Sequence, residues 1–174
     1  MATIWISLGS NIEPERHLRN ALGCMQHHFY DLALSPVYET EAVGFDGDPF
    51  LNLVVRCRTP LEPQAVAAEL KAIEDRNGRL RSGPRFSART LDLDLLLYDD
   101  LVLETPQIPR DEILRYAFVL RPLAELDPQL VHPVTGRSMA ELWAEFDASG
   151  QPMRQVDLDL LSGEKGTGPF SSGK

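Results

Sequence analysis

The run TLDLDLLLY, residues 90–98, alternates leucine with aspartate before closing on three consecutive leucines and a tyrosine. Period-two alternation bounded by turn-forming residues predicts a β-strand with two unlike faces. Leu91, Leu93 and Leu95 then point into a core, while Asp92 and Asp94 share the opposite face with Cα atoms roughly 6–7 Å apart. Upstream, residues 63–77 place Val66, Leu70 and Ile73 at helical spacing, with Pro60 and Pro63 before them and Gly78 as the stop. FLNLVVRCRT, residues 50–59, is a further strand, preceded by a glycine- and aspartate-bearing loop at 42–50. LALSPVYET, residues 32–40, is another, its Pro36 marking an edge or a bulge. Residues 14–28 repeat Leu18, Leu22 and Met25 on one helical face, and residues 3–10 open the chain as a strand.

The order β-α-β-β-α-β, closed by the leucine–aspartate strand, predicts an α+β fold with a ferredoxin-like core, a four-stranded sheet with two helices on one face. Beyond it a proline-rich connection leads to helices near 116–126 and 139–146. A last strand within 153–163 completes a helical and strand extension. We expect one domain over residues 1–162 and a disordered glycine-rich tail over 163–174.

Composition narrows the function. The hydrophobic share of 43% and charged share of 25% are those of a globular domain, and the net charge of −9 argues against nucleic acid or anionic membrane as a partner. Basic residues are 14 Arg against 3 Lys, a bias suited to forked contacts with phosphate or carboxylate. Cys24 and Cys57 fit no metal spacing and read as reduced, buried thiols. The apolar run at the N-terminus is too short for a signal peptide or membrane helix, so a cytoplasmic location is expected, and the chain is separately expected to act as a monomer.

Two carboxylates on one strand face repel unless a cation lies between or beside them, and hard oxygen donors favour Mg²⁺. The same pattern also makes the solvent face of an amphipathic strand, and VDLDLL at 156–161 repeats it with Asp157 and Asp159. What separates the copies is their surroundings. Arg76, Arg79, Arg81, Arg85 and Arg89 fall within fourteen positions just before Asp92, with no acidic residue among them. Such a glycine- and serine-bearing loop is either a solvated charged segment or an anion site able to close over a polyphosphate. Arginines beside Mg²⁺-binding carboxylates are what phosphoryl transfer needs. No Walker A pattern is present.

SLGSN at 7–11, FLN at 50–52, GRLR at 78–81 and ARTLDLDLLLY at 88–98 resemble the 6-hydroxymethyl-7,8-dihydropterin pyrophosphokinases of folate biosynthesis. The resemblance extends over about residues 3–147. It implies transfer of pyrophosphate from ATP to the pterin hydroxymethyl oxygen, with two Mg²⁺ ions held by Asp92 and Asp94. It places Arg79 and Arg89 at the reacting phosphates. The ATP-binding set it implies adds Glu74, Arg81, Arg85, Leu95, Arg110, Arg115 and Tyr116. The pterin would lie between Phe50 and Phe118, its edge read by Asn52, Thr40, Ala42 and Val43. Gly9, Ser10 and Asn11 take supporting places.

The chain departs from that pattern at Arg110 in place of a histidine, Tyr116 in place of an arginine, Glu41 in a pterin-side turn, and Phe86 in place of a tryptophan. Tyr116 removes a charge, for which Arg110 or Arg115 is the candidate substitute. These departures leave a second reading open, a divergent paralogue that binds a pterin or nucleotide with weak, altered or no transfer. An RNA-binding module shares the strand order, but it needs a basic face and exposed stacking rings that these strands lack.

Overall fold

The computed structural model describes residues 1–41, 47–78 and 91–161. Among the described residues six strands and five helices follow one another: β1 Ala2–Ser10, α1 Pro14–His28, β2 Tyr30–Leu34, β3 Val37–Thr40, β4 Phe50–Thr59, α2 Pro63–Arg76, β5 Asp92–Tyr98, α3 Glu112–Arg115, α4 Ala117–Leu126, α5 Met139–Glu145 and β6 Arg154–Val156. The sheet runs β5-β1-β4-β3-β6, with β2 also paired to β4, and every pairing is antiparallel. With β2 and β3 taken as one interrupted strand, the first four positions are the ferredoxin-like order expected from the sequence.

Helix α1 begins with Pro14 in its first turn and buries Leu18, Ala21, Leu22 and Met25. Helix α2 likewise starts at Pro63 and buries Val66, Leu70 and Ile73. Its end is set where Asn77 turns its Nδ2 back onto the Ile73 carbonyl at 2.9 Å and Gly78 adopts φ 79°. Both helices pack on one sheet face against Ile4, Ile6, Leu8, Leu53, Leu91, Leu93 and Leu95. Cys57 lies in this core, where burial pushes its thiol up to about 12, and neither cysteine is in a disulfide.

The C-terminal extension covers the opposite face. Trp5, Val54, Leu96 and Leu97 pack there with Ile113, Val119, Leu120, Leu123 and Met139. Leu96 and Leu97 share that cluster because the β1–β5 register shifts beside them: Ile6 lies opposite Leu95, but Trp5 lies opposite Leu97. Helix α5 is capped by Ser138, whose side chain accepts from the Glu141 N–H while Glu141 accepts from Ser138 N–H.

The strand expected at 32–40 is two strands. Pro36 has no N–H to give the ladder, and the pairing breaks at Ser35–Pro36. Ser35 repairs the gap by donating its N–H to the Val54 carbonyl and accepting the Val54 N–H on its hydroxyl, both at 2.9 Å. The helix expected near 116–126 is α4, and a short helix the sequence did not mark, α3, precedes it, with Tyr116 extended between them at φ −123° and ψ 125°. The last strand pairs with β3, as its alternation allowed. The tail from residue 162 lies outside the described residues.

Candidate active site

Strand register builds the site. In an antiparallel ladder, residues directly opposite one another project to the same face. Gly9 on β1 lies opposite Asp92 on β5 and opposite Asn52 on β4, and Asn52 in turn lies opposite Tyr38 on β3. One row therefore crosses four strands as Asp92, Gly9, Asn52 and Tyr38. Asp94 and Ser7 stand in the row beneath, while Phe50 and Thr40 stand on the other side of Asn52. The row faces the α4 layer, since the Tyr38 hydroxyl donates to Glu125 of α4.

Asp92 and Asp94 are both half-buried, and Leu91, Leu93 and Leu95 turn into the opposite core, as the alternation required. Leu95 accordingly keeps its side chain on the α1/α2 side. Glu74, at the end of α2 and 9% exposed, accepts the Leu93 N–H on Oε2 at 2.7 Å. Strand β5 is a sheet edge, and Glu74 satisfies an edge donor between the two aspartates. A buried helix carboxylate thus fixes the start of the strand from which they project.

Arg110 comes to the same region by donating its N–H to the Leu96 carbonyl at 3.1 Å. Its guanidinium grips Glu112 through two bonds of 2.7 and 3.2 Å. Those bonds raise its already high pKa, burial opposes them, and the Asp94 carboxylate adds to the rise. Arg110 is thus a cation near Asp94 that is already shared with Glu112.

The uncharged end of the row is built around Asn52, which is 6% exposed and donates Nδ2 to the Thr40 hydroxyl at 3.0 Å. That bond assigns the amide orientation. A Cβ on Gly9 would stand 2.9 Å from Asn52 Oδ1, so glycine is what lets the amide lie across β1. Phe50 is half-buried at the start of β4. Phe118 sits in the first turn of α4, stacked on Tyr116 with centroids 5.3 Å apart. Exposed Arg115 covers the outer face of Tyr116, its guanidinium carbon 5.1 Å from the ring centroid, and bonds the Tyr116 hydroxyl at 3.0 Å.

Arg79, Arg81, Arg85, Phe86 and Arg89 of the arginine-rich segment, and Ala42 and Val43 of the turn after β3, lie outside the described residues. Sequence reasoning gave Gly9 and Asn11 supporting places, though Gly9 forms the floor of the row. Asn11, buried, ties the end of β1 to the Asp48 carbonyl at 3.1 Å ahead of β4. Tyr38 and Gln151 were not singled out, and neither stands in a motif that would mark it. Asp157 and Asp159 follow β6, both exposed, beyond the far edge strand of the sheet.

The donor set suits a hard cation. Two neighbouring carboxylates share a face, and no group of three or more His, Cys, Asp or Glu able to hold a metal occurs among the described residues. Mg²⁺ commonly takes one or two protein carboxylates and completes its shell with water and phosphate oxygens. No helix among the described residues is long and apolar enough to cross a membrane.

The fold and this row define a ferredoxin-like α+β domain that carries a carboxylate pair and a buried amide on one sheet face. The family model for 7,8-dihydro-6-hydroxymethylpterin-pyrophosphokinase matches residues 5–128. A 2-amino-4-hydroxy-6-hydroxymethyldihydropteridine pyrophosphokinase of Pseudomonas aeruginosa is 37% identical over 84% of this chain and 93% of its own. One of Aquifex aeolicus is 31% identical over 83% and 92%. The chain belongs to the 7,8-dihydro-6-hydroxymethylpterin-pyrophosphokinase family. Among solved structures, wild-type HPPK-DHPS of Plasmodium falciparum superposes with a TM-score of 0.65 at 13% identity, over 83% of this chain and 44% of that one. The chain thus spans less than half of that longer protein, and the likeness is one of fold.

Proposed function

We propose that the chain transfers pyrophosphate from ATP to the hydroxymethyl group of 6-hydroxymethyl-7,8-dihydropterin, releasing AMP, in folate biosynthesis. The observation that carries this reading is the row across the sheet: a carboxylate pair and an amide-reading end stand on one face, separated by Gly9. A flat heterocycle held at Asn52 would direct its hydroxymethyl arm along that row toward the carboxylates. The hydroxymethyl oxygen then attacks the β-phosphorus of ATP. The bond from that phosphorus to the oxygen shared with the α-phosphate breaks, and AMP departs with that oxygen while the hydroxyl proton is lost.

Asp92 and Asp94 would hold two Mg²⁺ ions, which when bound neutralise triphosphate oxygens and the charge that develops in transfer. Asn52, oriented by Thr40, offers its Oδ1 to the pterin edge, while Phe50 and Phe118 bound the ring. Arg79 and Arg89 are assigned to the reacting phosphates, with Arg81 and Arg85 behind them. Glu74 and Leu95 are assigned to the ATP side, where Glu74 fixes the strand that presents the metal-binding pair and the Leu95 side chain anchors that strand in the core beneath α1 and α2. Arg110 and Arg115 supply cationic charge on the side where Tyr116 stands in place of an arginine. Ala42 and Val43 would add backbone contacts to the pterin. The partners we propose are these two small molecules, with the chain acting as a cytoplasmic monomer.

AMP formation from ATP, Mg²⁺ and the hydroxymethyl-dihydropterin tests the reading, and no turnover at high enzyme concentration would sink it. Tyr116 stacked on Phe118 favours one alternative, a paralogue that binds the pterin without efficient transfer. Calorimetric pterin binding without AMP release is the outcome that would select it. A Tyr116→Arg variant run beside the wild type shows whether the missing charge limits the rate.

A further inference from the structure

The two ends of the proposed pterin site come from elements far apart in the chain: Thr40 closes β3, and Phe118 stands in the first turn of α4. One short downstream segment touches both. The Gln151 side chain accepts the Ala117 N–H on Oε1 at 2.8 Å and donates Nε2 to the Arg115 carbonyl at 3.0 Å. It therefore brackets Tyr116, the single extended residue between α3 and α4, from both sides. Ala117 is the first residue of α4, where a backbone N–H has no partner inside its own helix. Phe118 is the next residue.

Three residues further on, β6 pairs with β3 by placing Arg154 opposite Glu39, Gln155 opposite Tyr38 and Val156 opposite Val37. Arg154 also bonds the Glu39 carboxylate. Glu39 directly precedes Thr40, whose hydroxyl orients Asn52. Just beyond the segment the chain is secured on α1, where Arg19 donates to the carbonyls of Asp159 and Leu160 at 3.2 and 2.9 Å.

Resting on the pterin reading above, we infer that residues 151–156 form a strap that sets the spacing between the α4 and β3 sides of the pterin site, with Gln151 as its positioning residue. Gln151 touches no substrate atom in this scheme. It acts by holding the Arg115–Tyr116–Ala117 backbone, and so the Phe118 ring, at a fixed distance from Thr40 and Asn52. The second bonded point, on β3, is what distinguishes a strap from an ordinary helix cap.

The test compares Gln151→Met, which keeps the shape and loses both bonds, with Gln151→Glu, which restores only the acceptor for Ala117. Asp127→Ala, which loosens the other end of α4, is the control for general destabilisation. Gln151→Met is expected to raise the pterin KM by about fivefold or more, with kcat changed by less than about twofold. Gln151→Glu should recover part of that loss, and Asp127→Ala should lower the melting temperature while leaving the pterin KM within about twofold. An unchanged pterin KM in Gln151→Met, or an equal rise in Asp127→Ala, overturns the strap while wild-type turnover stands. No AMP from the wild type sinks the functional reading, and the strap with it.

Discussion

At the scale of the residue, the proposed chemistry rests on the carboxylate pair and on the glycine between it and the amide. Asp92→Ala and Asp94→Ala are each expected to lower kcat on the order of 1000-fold, because one remaining carboxylate cannot hold and neutralise what two do. Asp157→Ala, from the second copy of the pattern, should leave turnover within about twofold, since it follows the edge strand β6. Equal losses at all three positions in a steady-state assay would undo the metal assignment. Gly9→Ala makes a different point. The added methyl meets Asn52 Oδ1 at 2.9 Å, the far end of a flexible side chain, so the amide shifts while the sheet stays intact. The expected result is a pterin KM raised about tenfold with a stability change below about 1 kcal/mol, read by kinetics and by urea unfolding.

At the scale of the element, sequence reading went as far as local chemistry allows. Helices α1 and α2 were legible because proline, helical spacing and a terminal Gly78 all agree. Strand β5 was legible from alternation alone. The break at Pro36 was marked in sequence as an edge or bulge. That Ser35 would fill the ladder with its hydroxyl depends on Val54 standing opposite. The extended Tyr116 was not legible, because the bonds that hold its neighbours come from Gln151, more than thirty positions downstream.

The turn that leads into α5 carries its own pH dependence. Buried His132 accepts the N–H groups of Val134 and Thr135 on Nδ1, both at 3.2 Å, and burial holds its pKa below the ordinary value of 6.5. Its folded pKa lies below its unfolded one, so the unfolded chain binds more protons in the window between them. The stability His132 contributes is full above about pH 6.5 and is lost as pH falls through the depressed value. Urea midpoints measured from pH 7 to 5 should fall in the wild type. They should fall less in His132→Asn, whose Oδ1 can keep the acceptor position without titrating.

At the scale of the whole molecule, the sheet separates two cores, and the second is tied down by polar as well as apolar contacts. Asp127, at the C-terminal end of α4, accepts the Trp5 indole N–H at 2.8 Å and the Arg56 guanidinium. Asp127→Ala leaves an indole donor and a cation without this partner, and should cost about 2–3 kcal/mol in urea unfolding. A loss of a few tenths would show that packing by Leu120 and Leu123 alone holds the layer. The sequence by itself determined the strand and helix order, the core-facing leucines, the shared face of Asp92 and Asp94, and the family. Each of these depends on local spacing or on contiguous motifs. Only the tertiary structure decided that Gly9 stands between Asp92 and Asn52, that Glu74 serves the edge of β5, and that the extension forms a second layer tied back to β3 and α1. Those relations join residues far apart in the chain, and sheet register and packing bring them together without leaving a periodic trace in the sequence.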